Sequence, residues 1–188
     1  QRSHLVMSSW RRVTRTRLVT RTRIYRLTDR FEFAGTGKAY IDLGSAAIDV
    51  CVKNTGSAAA GARGLYLIET AIDELSVLKG KVCIAARHGE AATVTTLRVL
   101  GGDVWAGEGT TLTTVDLLDG GADIRCGVTT IRVSGGTLTT SEQGAVTTLT
   151  TYGGLSVPNS TGTITTLNIN GGIVDFLQSG LARTVTTL

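Results

Sequence analysis

The sequence is poor in most of what builds helical bundles, stapled scaffolds or metal centres. It has one proline, two histidines and three cysteines in 188 residues, with only 5% aromatic and 18% charged side chains. Cys51, Cys83 and Cys126 are odd in number and far apart, which excludes a disulfide framework and suits free thiols in a reducing compartment. His4 and His88 are too few and too isolated to anchor a metal, the cysteines lack ligand spacing, and no cofactor is expected. His88, in AARHGEA, reads as a turn residue. No apolar stretch is long enough to cross a bilayer, and the N-terminal residues lack the basic, apolar, small-residue order of a signal peptide. No membrane insertion is expected.

What is abundant is glycine, with 24 residues, together with Thr, Val and Leu. That mixture favours many short strands joined by tight turns, an all-β chain. The glycines fall in a pattern. A Thr-Thr phrase begins at Val94, Leu112, Val128, Val146, Ile164 and Val185, at separations of 18, 16, 18, 18 and 21 residues. Double glycines follow it at 101–102, 120–121, 135–136, 153–154 and 171–172. A phrase restated at this period marks a structural unit that packs on copies of itself. The spacing predicts a parallel β-helix, a β-solenoid with coils of about 18 residues.

Within each coil two positions one residue apart are almost always apolar: Leu97 and Val99, Val115 and Leu117, Ile131 and Val133, Leu149 and Thr151, Leu167 and Ile169. Period-two alternation marks a half-buried strand, and coils stacked ~4.8 Å apart turn it into aliphatic ladders. The intervening residues, Arg98, Asp116, Arg132, Thr150 and Asn168, are expected to face water with opposite charges on neighbouring rungs. The double glycines are expected at corners. A calcium-binding roll is disfavoured, because no Asp recurs after them. Weaker copies lie upstream, with Leu75 and Val77, then Val50 and Val52, as inward pairs. The chain divides into a basic arm at 1–33, irregular lead-in or capping coils at 34–93 and a regular solenoid at 94–188.

Nine Arg fall within the first thirty residues, where VTRTRLVTRTRI at 13–24 writes one six-residue unit twice. As a strand this unit cannot bury either face by itself, so it calls for a partner. The candidate partner-binding residues are Arg11, Arg12, Arg15, Arg17, Arg21, Arg23 and Arg26. With only Trp10 and Tyr25 nearby, the aromatic interleaving of a nucleic-acid platform is missing, and a protein surface is the expected target. The enzymatic alternative is glycan cleavage by a carboxylate pair drawn from Glu108, Asp116, Asp119 and Asp123. Against it, the only aromatic close to these acids in sequence is Trp105, and the expectation is a chain with no catalytic residues.

The stacked VTTLxVxGG phrase behind a basic arm resembles the β-helical structural proteins of tailed-bacteriophage virions: tail fibres, spikes and capsid decoration proteins. The resemblance covers roughly residues 72–188. It implies a rigid, non-enzymatic rod, often trimeric, that assembles in the host cytoplasm and is attached by its N-terminal part to capsid or tail proteins of the virion. The alternatives are an adhesin or S-layer-like module at a bacterial cell surface and a polysaccharide-cleaving tailspike.

Overall fold

The computed structural model describes residues 31–34, 39–41, 43–55, 64–142, 144–178, 182 and 184–188. The seven candidate arginines of the arm lie outside these residues. In chain order the strands are β1 (Phe31–Ala34), β2 (Ala39–Ile41), β3 (Gly44–Asn54), β4 (Leu65–Leu67), β5 (Thr70–Val77), β6 (Lys81–Ile84), β7 (Ala92–Val99), β8 (Asp103–Ala106) and β9 (Thr110–Leu117). They continue as β10 (Gly121–Ile124), β11 (Val128–Val133), β12 (Thr137–Thr140), β13 (Val146–Thr151), β14 (Leu155–Pro158), β15 (Ile164–Ile169), β16 (Ile173–Val174) and β17 (Val185–Thr187).

Odd-numbered strands form one parallel sheet of nine and even-numbered strands a second of eight. Each coil contributes one strand to each sheet, so the fold is a β-solenoid. The register runs Val94, Leu112, Val128, Val146, Ile164, Val185 along the first sheet, which matches the Thr-Thr alignment residue for residue. Leu75 and Val77 stack on Leu97 and Val99, and Val50 and Val52 stack on Leu75 and Val77, so the weaker upstream phrases are coils of the same helix.

The core lies between the sheets. Leu75, Leu97, Val115, Ile131 and Leu149 form one fully buried ladder, with Val77, Val99, Leu117 and Val133 forming its neighbour. The second sheet answers with smaller inward residues, including Val82 and Ile84, Val104 and Ala106, Ala122 and Ile124. Further along the inward side becomes polar. Thr140 Oγ1 and Ser160 Oγ meet at 3.2 Å, whereas the buried Thr151 and Ser156 hydroxyls have no partner among the described residues.

Two expectations at the surface and the end are corrected. Thr150 is buried, not water-facing, because Asn168 lies over it and donates to its hydroxyl at 3.3 Å. Ile169 is half exposed although it continues the inward ladder, since β17 pairs only with Ile164 and Thr166 of β15. On the rung itself Arg132 reaches Asp116 at 3.0 Å, while Arg98 turns to Glu74 at 3.7 Å.

The double glycines are corners. One glycine of each pair has positive φ, the second in four pairs and the first, Gly120, in the fifth, from 71° at Gly136 to 86° at Gly120. Its carbonyl accepts the amide of the residue that follows the corresponding glycine of the next coil, as from Thr137 to Gly120 at 2.8 Å and from Leu155 to Gly136 at 2.9 Å. The corners therefore stack as a hydrogen-bonded column with no space for side chains.

Candidate functional site

The opposite edge of the solenoid, where the second sheet hands the chain back to the first, is uneven. Seven residues connect β6 to β7, three connect β8 to β9, three connect β10 to β11, and five connect β12 to β13. Two short connections between two longer ones leave a valley. It is a groove of about 480 Å³ lined by the 85–90 turn and by Trp105, Glu108, Gly109, Arg125 and Glu142. This volume falls within the range of roughly 300–1,000 Å³ common to small-ligand sites.

One wall is the 85–91 connection. It is closed by Glu90 N donating to Arg87 O at 3.1 Å and by Arg87 N donating to the Glu90 carboxylate at 3.0 Å. His88 sits at its tip, so the turn reading of the sequence holds, and its position also places it in the groove lining. Below it runs an outward-facing column on the second sheet, in the register Tyr40, Tyr66, Cys83, Trp105, Asp123. Tyr40 and Tyr66 stack at 4.7 Å, and Arg87 lies over the Tyr40 ring at 5.6 Å. Trp105 is thus not an isolated aromatic. Irregular coil lengths in the first coils hide its companions from a reading of sequence distance alone.

Arg125 organises the other side. Its guanidinium stacks on Trp105 at 4.9 Å and donates to Glu142 Oε1 at 2.5 Å and to Asp123 Oδ2 at 3.3 Å. Ser141 Oγ donates to the other Asp123 oxygen at 2.9 Å. Glu142 holds its place at φ 60°, a left-handed conformation that costs a non-glycine residue about 1–2 kcal/mol. Ala85, across the groove, is left-handed as well, at φ 44°.

Glu108 and Glu142 interact in the groove, and Glu108 is the member that keeps its proton to higher pH. The hydrogen bond to Glu142 and then its charge raise the Glu108 carboxyl above its usual range, with His88 and Arg125 acting in the opposite direction. The hydrogen bond from Glu108, followed by the Arg125 contact, lowers Glu142. Two carboxyls this close cannot both ionise freely, so the pair titrates as a unit, with Glu142 the ionised member. Glu142 Oε2 is shut off from solvent and takes no amide, hydroxyl or guanidinium donor among the described residues.

The acids grouped in the sequence reading do not converge. Asp116 is tied to Arg132 on the outer face of the first sheet, and Asp119 caps Gly120 N at 2.7 Å in the glycine corner. Asp123 belongs to Arg125. Only Glu108 enters the groove, and its partner is Glu142, thirty-four positions away and two coils further on. The signal that could have found this pair is the departure of the coil lengths from 18, which places long and short turns side by side. No three His, Cys, Asp or Glu side chains among the described residues converge to hold a metal ion. The thiols are structural in character: all three are buried, and burial pushes Cys126 up to about 11, which leaves it protonated and unreactive at neutral pH. No protein-family model, curated protein or solved structure matches this chain.

Proposed function

We propose that this chain is a non-enzymatic structural β-solenoid that projects from or decorates a larger assembly of the phage-virion kind, docked through its N-terminal arm. The observation that carries the reading is the uninterrupted construction of the rod. Backbone ladders, aliphatic ladders and a column of stacked glycine corners continue from β7 to β16 with no connection longer than five residues. Such a body is suited to stiffness and display. The charge division supports the same reading: nine Arg precede residue 31, whereas residues 31–188 carry ten Lys and Arg against fourteen Asp and Glu. A basic arm on an acidic rod separates attachment from projection.

The second reading, a polysaccharide-cleaving spike, draws on the Glu108–Glu142 pair. Retaining glycosidases hold their carboxyls about 5–5.5 Å apart and inverting ones about 6.5–9.5 Å apart, leaving space for the scissile bond or a water. This reading rests on that pair, whereas the continuous parallel sheets favour the structural one.

Replacing Arg15, Arg17, Arg21 and Arg23 by Gln is expected to leave a folded rod that no longer co-sediments with its parent particle. The residual attachment of partial variants should fall further as salt rises. Full-occupancy attachment of the fourfold variant would place docking in the coils and defeat the reading.

A further inference from the structure

We propose that the groove between the 85–91 turn and Glu142 is the receptor for the arginine segment 13–24 of a neighbouring copy of this chain. The inference rests on the arm being a docking element and adds the surface to which it docks. The argument begins with a shortage of positive charge. Among the described residues four carboxylic acids, Glu90, Glu108, Asp123 and Glu142, stand in or against the groove, opposed by two guanidinium groups, Arg87 and Arg125, and the His88 imidazole.

Arg125 is fully engaged by Asp123 and Glu142, and Arg87 is turned towards Tyr40 at 3.1 Å. Glu142 Oε2 is buried and takes no donor among the described residues, beside a Glu108 carboxyl that Glu142 raises above its usual range. A guanidinium is the group that fits such a pair best. It is permanently charged, planar, and presents several N–H donors to paired carboxyl oxygens. The groove already shows how it treats this group, because Arg125 lies flat on Trp105 while donating to two carboxylates.

The occupant is written in the same chain. As an extended strand VTRTRLVTRTRI would present Arg15, Arg17, Arg21 and Arg23 on one face, and no other segment of the sequence writes two such arginine pairs. A metal ion is a poorer fit, since no third ligand among the described residues converges on the pair.

Entry of a guanidinium should expel the proton held on Glu108, so affinity rises with pH as the Glu108–Glu142 pair loses it. The other charged or titratable groups facing the pair are Arg87, His88, Glu90, Asp123 and Arg125.

The test uses the full chain carrying Gln at positions 15, 17, 21 and 23, which frees the groove, and a synthetic peptide of residues 13–24 as probe. Calorimetric titration is expected to show one saturable site per chain with release of a proton, read from the buffer dependence of the heat, and a change in Trp105 emission. Glu108→Gln with Glu142→Gln should weaken binding at least tenfold and abolish the proton release, while Asp103→Asn leaves both unchanged. Glu108→Gln alone, at an exposed side chain, serves if the double variant does not fold. An absent signal, or binding indifferent to the groove substitutions, overturns the assignment. If the peptide ignores the groove yet the fourfold variant still detaches from the particle, docking by the arm stands and the groove is not its receptor.

Discussion

Ile131→Asp is expected to abolish the cooperative thermal transition of the chain. Ile131 is fully buried between Val115 and Leu149 on adjacent rungs, both also fully buried, and no polar side chain of the ladder stands within one rung of it. A carboxylate there loses its hydration with no partner to replace it, at a cost of several kcal/mol. Domains are stable by only about 5–15 kcal/mol in total, so one such site takes most of the margin. Damage should also spread, because each coil is the template for the next. Ile131→Val removes one methylene and is expected to cost about 1 kcal/mol, a fall of roughly 2–4 °C in Tm for a chain of this size. Circular dichroism melts of the two variants are the check. Similar midpoints for both would mean that position 131 is not inward.

Gly136→Ala should be nearly as damaging, and for a different reason. Gly136 has φ 71°, and a Cβ placed there would stand 2.3 Å from the carbonyl oxygen and 2.8 Å from the amide nitrogen of Gly120 in the coil below. Both obstacles are backbone, fixed by the hydrogen bond from Thr137 N to Gly120 O. Relief requires the coils to part. Gly89 supplies the control: its φ is 83°, but a Cβ there meets nothing within 4 Å. Gly89→Ala should therefore cost only the left-handed backbone preference, about 1–2 kcal/mol. Equal melting temperatures for the two alanine variants would refute the stacked-corner column.

The first strand of every coil is legible in the sequence because its inward residues are large and aliphatic and its solvent residues polar, so period and phase appear together. The second strand is not. Ala106, Ala122, Thr140 and Ser156 point inward there, and small or hydroxyl side chains carry little contrast with their neighbours. The groove is illegible for a topological reason: Arg125 and Glu142 are seventeen residues apart, and Glu108 and Glu142 belong to different coils. Solenoid stacking brings together turn residues whose spacing in the chain depends on every intervening turn length. Trp105 and His88 could be singled out as residues, but not as neighbours in one lining. Glu142 adds a further obstacle, because nothing in its local sequence marks it for a left-handed backbone.

The measurement that bears most directly on the account is electron cryomicroscopy of the assembly proposed for this chain. The account predicts rods of parallel coils, repeating every ~4.8 Å, standing away from the particle with the β1 end nearest its surface and arm density running into a neighbouring subunit. Rods lying with the β17 end buried in the particle and the β1 end free in solvent would contradict it.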